Sequence, residues 1–419
     1  MRTIKIKCFS LVACCAATLA LNQFFISAAW ADDAATIADL KARLARVEKD
    51  ISQLTQSDDT DHFEVAGIPL HGFADVGYTR ASKRNDADTR LGQAGKGFWA
   101  NSLDFYLTPQ FSDKTKGLVE LIFEFLPDGL ATDLERIQLG YIFNDQLTVW
   151  TGRFHAPYGY WNTGFHHGSE IQTSVTRPRF IDFEDKGGLL PAHVMGAWAN
   201  GDIHVGKAKL TYDLYVGNGN AIVDVDTASS VRGFLTINNA RDSNNNTLIG
   251  GNLGYKMGGM MVGVHAFSER VNIIDIVAGD LGEVSVKMTG LYGAYEDDNW
   301  ETIAEYYHFK NDDLMTTPGV TTSNSSWLGF AQVGHAVGND WMPYLRLEKA
   351  SLDQGDPYFN AQGYGYSYSR QVVGVRYTLN PKAVIKLEAN RTKEGDGVPV
   401  SGPGSGSYSE AKFQYAIRF

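Results

Sequence analysis

Past residue 15 the chain has no cysteine; Cys8, Cys14 and Cys15 are its three. The rest of it can therefore form no disulfide, no thiolate metal site and no cysteine nucleophile. Proline is scarce, 12 in 419 residues, while glycine (44), phenylalanine (22) and tyrosine (20) are plentiful. That balance suits antiparallel β-structure with polar loops. Beyond Ala31 no uncharged apolar run reaches the ~20 residues that a spanning helix needs, which excludes a helical membrane protein. Positive charge is also short, with 37 Lys and Arg against 48 Asp and Glu and a net charge of −11. This disfavours nucleic acid and anionic lipid headgroups as partners. Neither H-E-x-x-H nor G-x-S-x-G occurs, so two common signatures of hydrolysis are missing.

Residues 1–31 read as a secretory signal peptide. Arg2, Lys5 and Lys7 lead an apolar stretch that ends at Ala29-Trp30-Ala31, an A-x-A cleavage pattern. Leu11-Val12-Ala13-Cys14 also resembles a lipoprotein cleavage box, but few apolar residues precede it and the apolar run continues beyond it. Residues 32–56 carry a heptad seam: Ile37, Leu40, Leu44, Val47, Ile51 and Leu54 recur at three and four residues, with charged and small residues between. At about two and a half heptads, a helix of this kind is marginal alone and makes sense when several copies are held together. Packing as an amphipathic helix on its own chain is the alternative. The seam residues lean towards two strands. Residues 57–68 form a polar linker.

From residue 69 to 419 the apolar pattern switches to period two and repeats. Sixteen segments stand out: 70–79, 101–111, 117–126, 134–143, 147–155, 192–205, 208–217, 247–256, 260–270, 285–296, 300–309, 326–336, 341–351, 366–379, 383–391 and 409–419. In 383–391, Ala383, Ile385, Leu387 and Ala389 alternate with Lys386, Glu388 and Asn390. Connections after even-numbered segments are short, and those after odd-numbered ones are mostly long and polar. This predicts an all-β fold: a transmembrane antiparallel 16-stranded β-barrel with a short N-terminal periplasmic coiled-coil helix. In lipid every backbone polar group needs an internal partner, so the sheet must close on itself. Strands of this length, tilted, cross an apolar layer of about 25 Å. Apolar side chains then face lipid, and polar ones face a water-filled channel rather than a packed core.

Alternation points Arg136, Arg153, Arg346, Arg370, Arg376, Lys386, Lys412 and Arg418 into the lumen. Asp104, Glu120, Glu124, Glu301 and Glu305 point the same way, with Glu348 and Glu388 among the bases. The connection 156–191 is the longest, and a structureless loop of that length needs a purpose. It is expected to fold into the barrel and constrict it. The pore and constriction set is then Arg136, Arg153, His155, Tyr158, His166, His167, Glu170, Arg177, Arg179, Asp182, Glu184, Asp185, Arg346, Arg370, Arg376 and Lys386.

The chain resembles a sixteen-stranded outer-membrane porin of the phosphate-selective and dicarboxylate type. The resemblance rests on the signal, the short coiled coil, the barrel pattern and Gly152-Arg153-Phe154-His155-Ala156-Pro157-Tyr158-Gly159. It implies a homotrimer that passes small anions, such as carboxylates or inorganic oxyanions, by diffusion through a pore lined with basic residues. It implies the outer membrane of a Gram-negative bacterium and export through the periplasm. Phe419, at the end of an alternating aromatic run, is similar to the signal read by the barrel-assembly machinery. Phosphate-selective relatives concentrate bases at the constriction; here Arg177, Arg179 and Lys186 are mixed with Glu170, Asp182, Glu184 and Asp185.

The stretch "GRFHAPYGYWNTGFHHGSE", residues 152–170, also suggests a metal site through His155, His166, His167 and Glu170. An outer-membrane enzyme or metal-dependent hydrolase built on these histidines, and an adhesion or structural barrel, are the alternatives to a channel. His166 and His167 are adjacent and diverge on an extended chain. The channel reading calls for no catalysis and no cofactor; its partners are small solutes and the lipid bilayer. Histidines at the constriction would make conductance vary between about pH 5 and 8.

Overall fold

The structure, a computed structural model, describes residues 64–65, 68–82, 96–126, 129–165, 168–183, 188–236, 242, 244–317, 320–395 and 407–419. The signal, the heptad positions Ile37 to Leu54 and most of the linker lie outside these. Sixteen long strands form the wall. They are β1 (Ile68–Ala81), β2 (Lys96–Leu107), β3 (Thr115–Leu126), β4 (Gly129–Asn144), β5 (Leu147–His155), β6 (His193–Val205), β7 (Ala208–Asn218) and β8 (Thr247–Met257). The second half comprises β9 (Met260–Asp275), β10 (Gly279–Glu296), β11 (Trp300–Thr317), β12 (Val320–His335), β13 (Trp341–Ser351), β14 (Tyr368–Asn380), β15 (Ala383–Glu394) and β16 (Ser407–Arg418). Each pairs antiparallel with its sequence neighbour, and β16 pairs with β1. The barrel is closed. Phe419 completes the seam: its N–H and carbonyl exchange hydrogen bonds of 3.0 Å with Gly72. Among the described residues no helix is long and apolar enough to cross a membrane.

The alternation read in the sequence decides the two faces. In β13 the exposed Leu345 and Leu347 alternate with the buried Tyr344, Arg346 and Glu348. Leu139, Leu214, Leu253, Leu291 and Leu387 are likewise exposed on the outside. Aromatic pairs ring the short-turn end: Tyr141 with Phe143, Trp300 with His335 and Trp341 with Tyr377, at 4.8, 4.2 and 4.5 Å between ring centroids. Trp327 with Tyr306 and Tyr78 with Phe98 lie further towards the long-loop end. An apolar band between aromatic girdles is the exterior of a membrane barrel.

Two expectations need correction. Residues 271–284 and 310–325 read as long polar loops, but β9 to β12 extend through most of them, and β10 and β11 reach 18 residues each. Their polarity reflects surroundings, since a two-stranded ladder satisfies its own backbone beyond an apolar layer as well as within it. The lumen, moreover, is not simply open. Phe267, Val271, Val284, Val286, Met288, Tyr307, Phe309, Leu328 and Phe330 on β9 to β12 face inward and belong to one buried apolar cluster. Three connections supply its other side. They are the 156–191 loop, the 219–246 loop with its strand Ala221–Val225, and the 352–367 loop with its single helical turn Pro357–Asn360. Ala221–Val225 pairs parallel with the far end of β9. Tyr358 stacks on Phe309 at 6.0 Å and donates to the carbonyl of Leu189 at 2.7 Å.

Asp356 caps the Pro357–Asn360 turn, accepting from the Tyr358 N–H at 3.0 Å and from Asn311 Nδ2 at 2.9 Å. Burial pushes its carboxyl up to about 6, with Asp353 and Asp313 adding to the rise. The folded protein holds this proton more tightly than an unfolded chain, in which aspartate titrates near 3.9. Its contribution to stability therefore falls as pH rises from about 4 to about 6 and is level on either side. Asp356→Asn should flatten the slope of unfolding free energy across that window. An unchanged slope would assign the titration to another group.

Candidate functional site

The 156–191 loop leaves β5 through Ala156-Pro157-Tyr158-Gly159 and turns into the barrel. Gly159 has φ +65°, and an added Cβ would collide with the Glu305 carboxylate and the Tyr307 hydroxyl. The glycine lets the backbone come close enough for Gly159 N–H to donate to His265 Nδ1 at 2.6 Å. Glu305 then accepts from the N–H groups of Tyr160 (3.1 Å) and Trp161 (2.6 Å), at the start of the helical turn Trp161–Gly164. Those donors have no partner within the helix, so a carboxylate there satisfies them. Asn162 Nδ2 reaches the carbonyls of Ala156 (2.9 Å) and Ala192 (3.3 Å), tying the two ends of the loop together.

Tyr158 belongs to the expected constriction set, where an aromatic also suits an anchor for the loop; it lies on the anchor side, almost wholly buried and packed edge-on against His265 and Tyr307 at 6.1 Å each. Trp161 and Phe180 are fully buried beside Phe330.

The loop next runs along the inner wall, where β1, β11 and β13 to β16 offer polar anchors. Ser169 donates to Asp75 on β1 (3.0 Å) and Thr173 to Glu301 on β11 (2.6 Å). The N–H groups of Val175 and Thr176 donate to Glu388 on β15 (3.0 and 3.1 Å), and that of Arg179 to Glu348 on β13 (2.8 Å). Arg346 is the densest anchor. It donates to Glu348 (2.9 Å), Ser174 Oγ (2.7 Å), the Thr176 carbonyl (2.8 Å) and the Arg177 carbonyl (3.1 Å). Lys386 donates to the carbonyls of Ser169 and Ser174. Arg376 binds the Ile171 carbonyl at 3.1 Å and Glu170 at 3.3 Å; Arg418 meets Glu170 at 3.5 Å.

Alternation pointed Arg346, Arg370, Arg376 and Lys386 into open water. They do face inward, but into the seam between wall and loop. Arg346 and Lys386 are completely buried, and Arg370 lies between Glu348 (3.8 Å) and Glu410 (3.7 Å). Arg179 is buried too, paired with Glu394. The physical reason is that an irregular loop inside a barrel carries carbonyls that the wall must satisfy. Long cationic side chains are the donors that can reach them.

A second group sits where β3 to β6 meet the loop. Arg136 pairs with Glu120. Arg153 lies between Asp133 (3.8 Å) and Glu135 (3.6 Å), and His193 meets Glu135 at 2.8 Å. His155 lies 3.8 Å from Glu120, with its ring 5.3 Å from that of His193. His193 and Glu135 were not singled out in the sequence. A bulge of β4 against β3 at Glu120/Leu121 turns Glu135 inward beside Arg136, which strict alternation forbids. His166, His167, Glu184 and Asp185 lie outside the described residues. Among those described, no group of three or more His, Cys, Asp or Glu side chains is placed to hold a metal.

Between the loop and the wall of β1 to β3, β14 and β16 lies an open space, bordered by Arg177, Asp182, Arg370, Lys412 and Asp75 among others. The Arg177 guanidinium donates to the Ile181 carbonyl at 3.0 Å and lies over the Phe183 ring at 4.4 Å. Asp182 is 3.9 Å from it.

No family model matches the chain, and no curated protein sequence does. Solved structures match in fold. An anion-selective porin from Comamonas acidovorans aligns over 84% of this chain and 99% of its own, at 14% identity and a TM-score of 0.55. The outer-membrane channel DcaP of Acinetobacter baumannii covers 86% and 100%, at 11% identity and 0.54. OmpT, an outer-membrane protein of Vibrio cholerae, covers 84% and 97%, at 10% and 0.52. The chain has the barrel architecture of these outer-membrane porins and channels.

Proposed function

We propose that the chain is an outer-membrane diffusion channel for small hydrophilic solutes, with a modest preference for small anions. The observation that carries this reading is the 156–191 loop, bonded along the inner wall of a closed barrel whose exterior is apolar. A barrel built for adhesion has no use for a constriction bonded to six of its strands. Three bases, Arg177, Arg370 and Lys412, and two acids, Asp75 and Asp182, border the open space. Arg370 and Lys412 are paired with Glu348 and Glu410 in the wall behind them, so the field that sets ion preference at a narrow passage is weak here and supports only a modest preference. The reading places the protein in the outer membrane of a Gram-negative bacterium after signal cleavage. It takes the protein to be a homotrimer joined by the residue 32–56 coils, with Phe419 read during assembly. It assigns no chemistry and no cofactor.

Purified folded protein should conduct ions in planar bilayers, closing in three steps. In a salt gradient its reversal potential should favour anions, and Arg177→Ala should shift that potential towards cations. A folded barrel without conductance would sink the channel reading. A conducting Arg177→Ala variant with unchanged selectivity would remove Arg177 from the constriction.

A further inference from the structure

The ions around the open space are largely occupied, and what remains available is of another kind. Arg370 and Lys412 are held by Glu348 and Glu410, the latter 3.4 Å from Lys412 Nζ. Arg177 is spread over backbone carbonyls and an aromatic face. An inorganic oxyanion, or a carboxylate needing a bidentate cation, finds its cations already engaged.

The wall opposite the loop carries a flat indole. Trp99 lies over Gly77, where a Cβ would collide with its ring, and its Nε1 donates to Thr79 Oγ1 at 3.0 Å. The ring is thus fixed, its polar atom satisfied, and it remains only part-buried at the edge of the cavity. A bulge makes the neighbourhood richer than alternation allows. Between Ala74/Leu103 and Val76/Ala100, one residue of β1 opposes two of β2. Asn101 and Ser102 consequently both line the cavity, beside Trp99 and Asp75. Gln414 joins them from β16; it is 3% exposed, and its Oε1 has no hydrogen-bond partner among the described residues. Bulges commonly re-aim side chains in this way beside binding sites.

We propose that this wall is a subsite for a neutral pyranose sugar, stacked by its C–H face on Trp99 and hydrogen-bonded by its hydroxyls to Asn101, Ser102 and Gln414. A pyranose has one apolar face and equatorial hydroxyls that both donate and accept. It therefore matches a fixed aromatic plate flanked by amides and a hydroxyl. An unpaired acceptor such as Gln414 Oε1 is costly to bury, and a sugar hydroxyl satisfies it. The inference rests on the channel reading but not on the ion preference.

The test is ion current through the full-length protein in planar bilayers, with glucose or maltose added and mannitol, an open-chain hexitol, as control. The sugars are expected to lower the current saturably, and mannitol only in proportion to viscosity. Trp99→Ala should raise the half-blocking concentration about tenfold, equivalent to about 1.4 kcal/mol, with block measured as a fraction of each variant's own unblocked current. Trp99→Phe should keep most of the block. A conducting wild type blocked no better by the sugars than by mannitol, or a Trp99→Ala variant blocked as well as wild type, would overturn the subsite and leave the channel standing. Absence of conductance in folded wild type overturns the channel reading itself.

Discussion

Arg346→Met is expected to lose about 3–5 kcal/mol, the usual cost of removing one partner from a buried ion pair, and to widen the pore. The guanidinium is fully buried and reaches the loop at Ser174, Thr176 and Arg177 while pairing with Glu348. Methionine fills much of the volume but donates nothing. The Thr176 and Arg177 carbonyls lose the donor that Arg346 supplied from the wall, and Glu348 keeps Arg370 at 3.8 Å and the Tyr368 hydroxyl at 3.2 Å. The strands of the barrel make none of their ladder bonds through this side chain, so the loop should detach before the wall does. Single-channel conductance should rise, and protease should cut between 168 and 179 in folded protein. Wild-type conductance together with wild-type protease resistance would show that Lys386 and Glu388 suffice to hold the loop.

Trp161→Ala should cost a similar amount, about 3–5 kcal/mol, by leaving a cavity in a packed core. Its indole is fully buried between Phe165 at 4.9 Å and Phe330 at 5.6 Å, with the Arg346 guanidinium over its face at 5.6 Å. This core lies inside the barrel, so its loss should separate from loss of the wall. Near-ultraviolet circular dichroism should weaken and the denaturant midpoint should fall, while the far-ultraviolet β signal and heat-modifiable gel mobility persist in mild conditions. Simultaneous collapse of all these signals would show that loop and wall fold as one unit and that the interior core is what holds the barrel up.

The two variants bear on how far the sequence can be read. Each of the sixteen strands was visible, because a strand between lipid and water must alternate, and Lys386-Leu387-Glu388 does so without exception. Hairpin lengths were not visible: the Lys310-Asn311-Asp312-Asp313 stretch reads as loop, yet it pairs as strand in β11 against β12. Trp99 was missed because it precedes the segment that alternation marked out, and because the bulge at Asn101-Ser102 breaks the period on which the reading depends. Charges were placed on the right face without their partners, since alternation gives direction but not what stands opposite.

The sequence by itself determined the barrel, its strand number, the short and long ends and which loop is longest. All of these are consequences of local period and spacing, which the chain carries residue by residue. Only the tertiary structure decided that Phe267, Phe309 and Phe330 face inward to meet the loops, that Arg346 and Lys386 serve the loop rather than open water, and that an indole borders the remaining passage. Those outcomes depend on contacts between residues far apart in the chain, such as Arg346 with Ser174 and Glu305 with Trp161. No periodicity records which wall a loop will choose, because the choice is set by pairing donors with acceptors and filling volume after the barrel has closed.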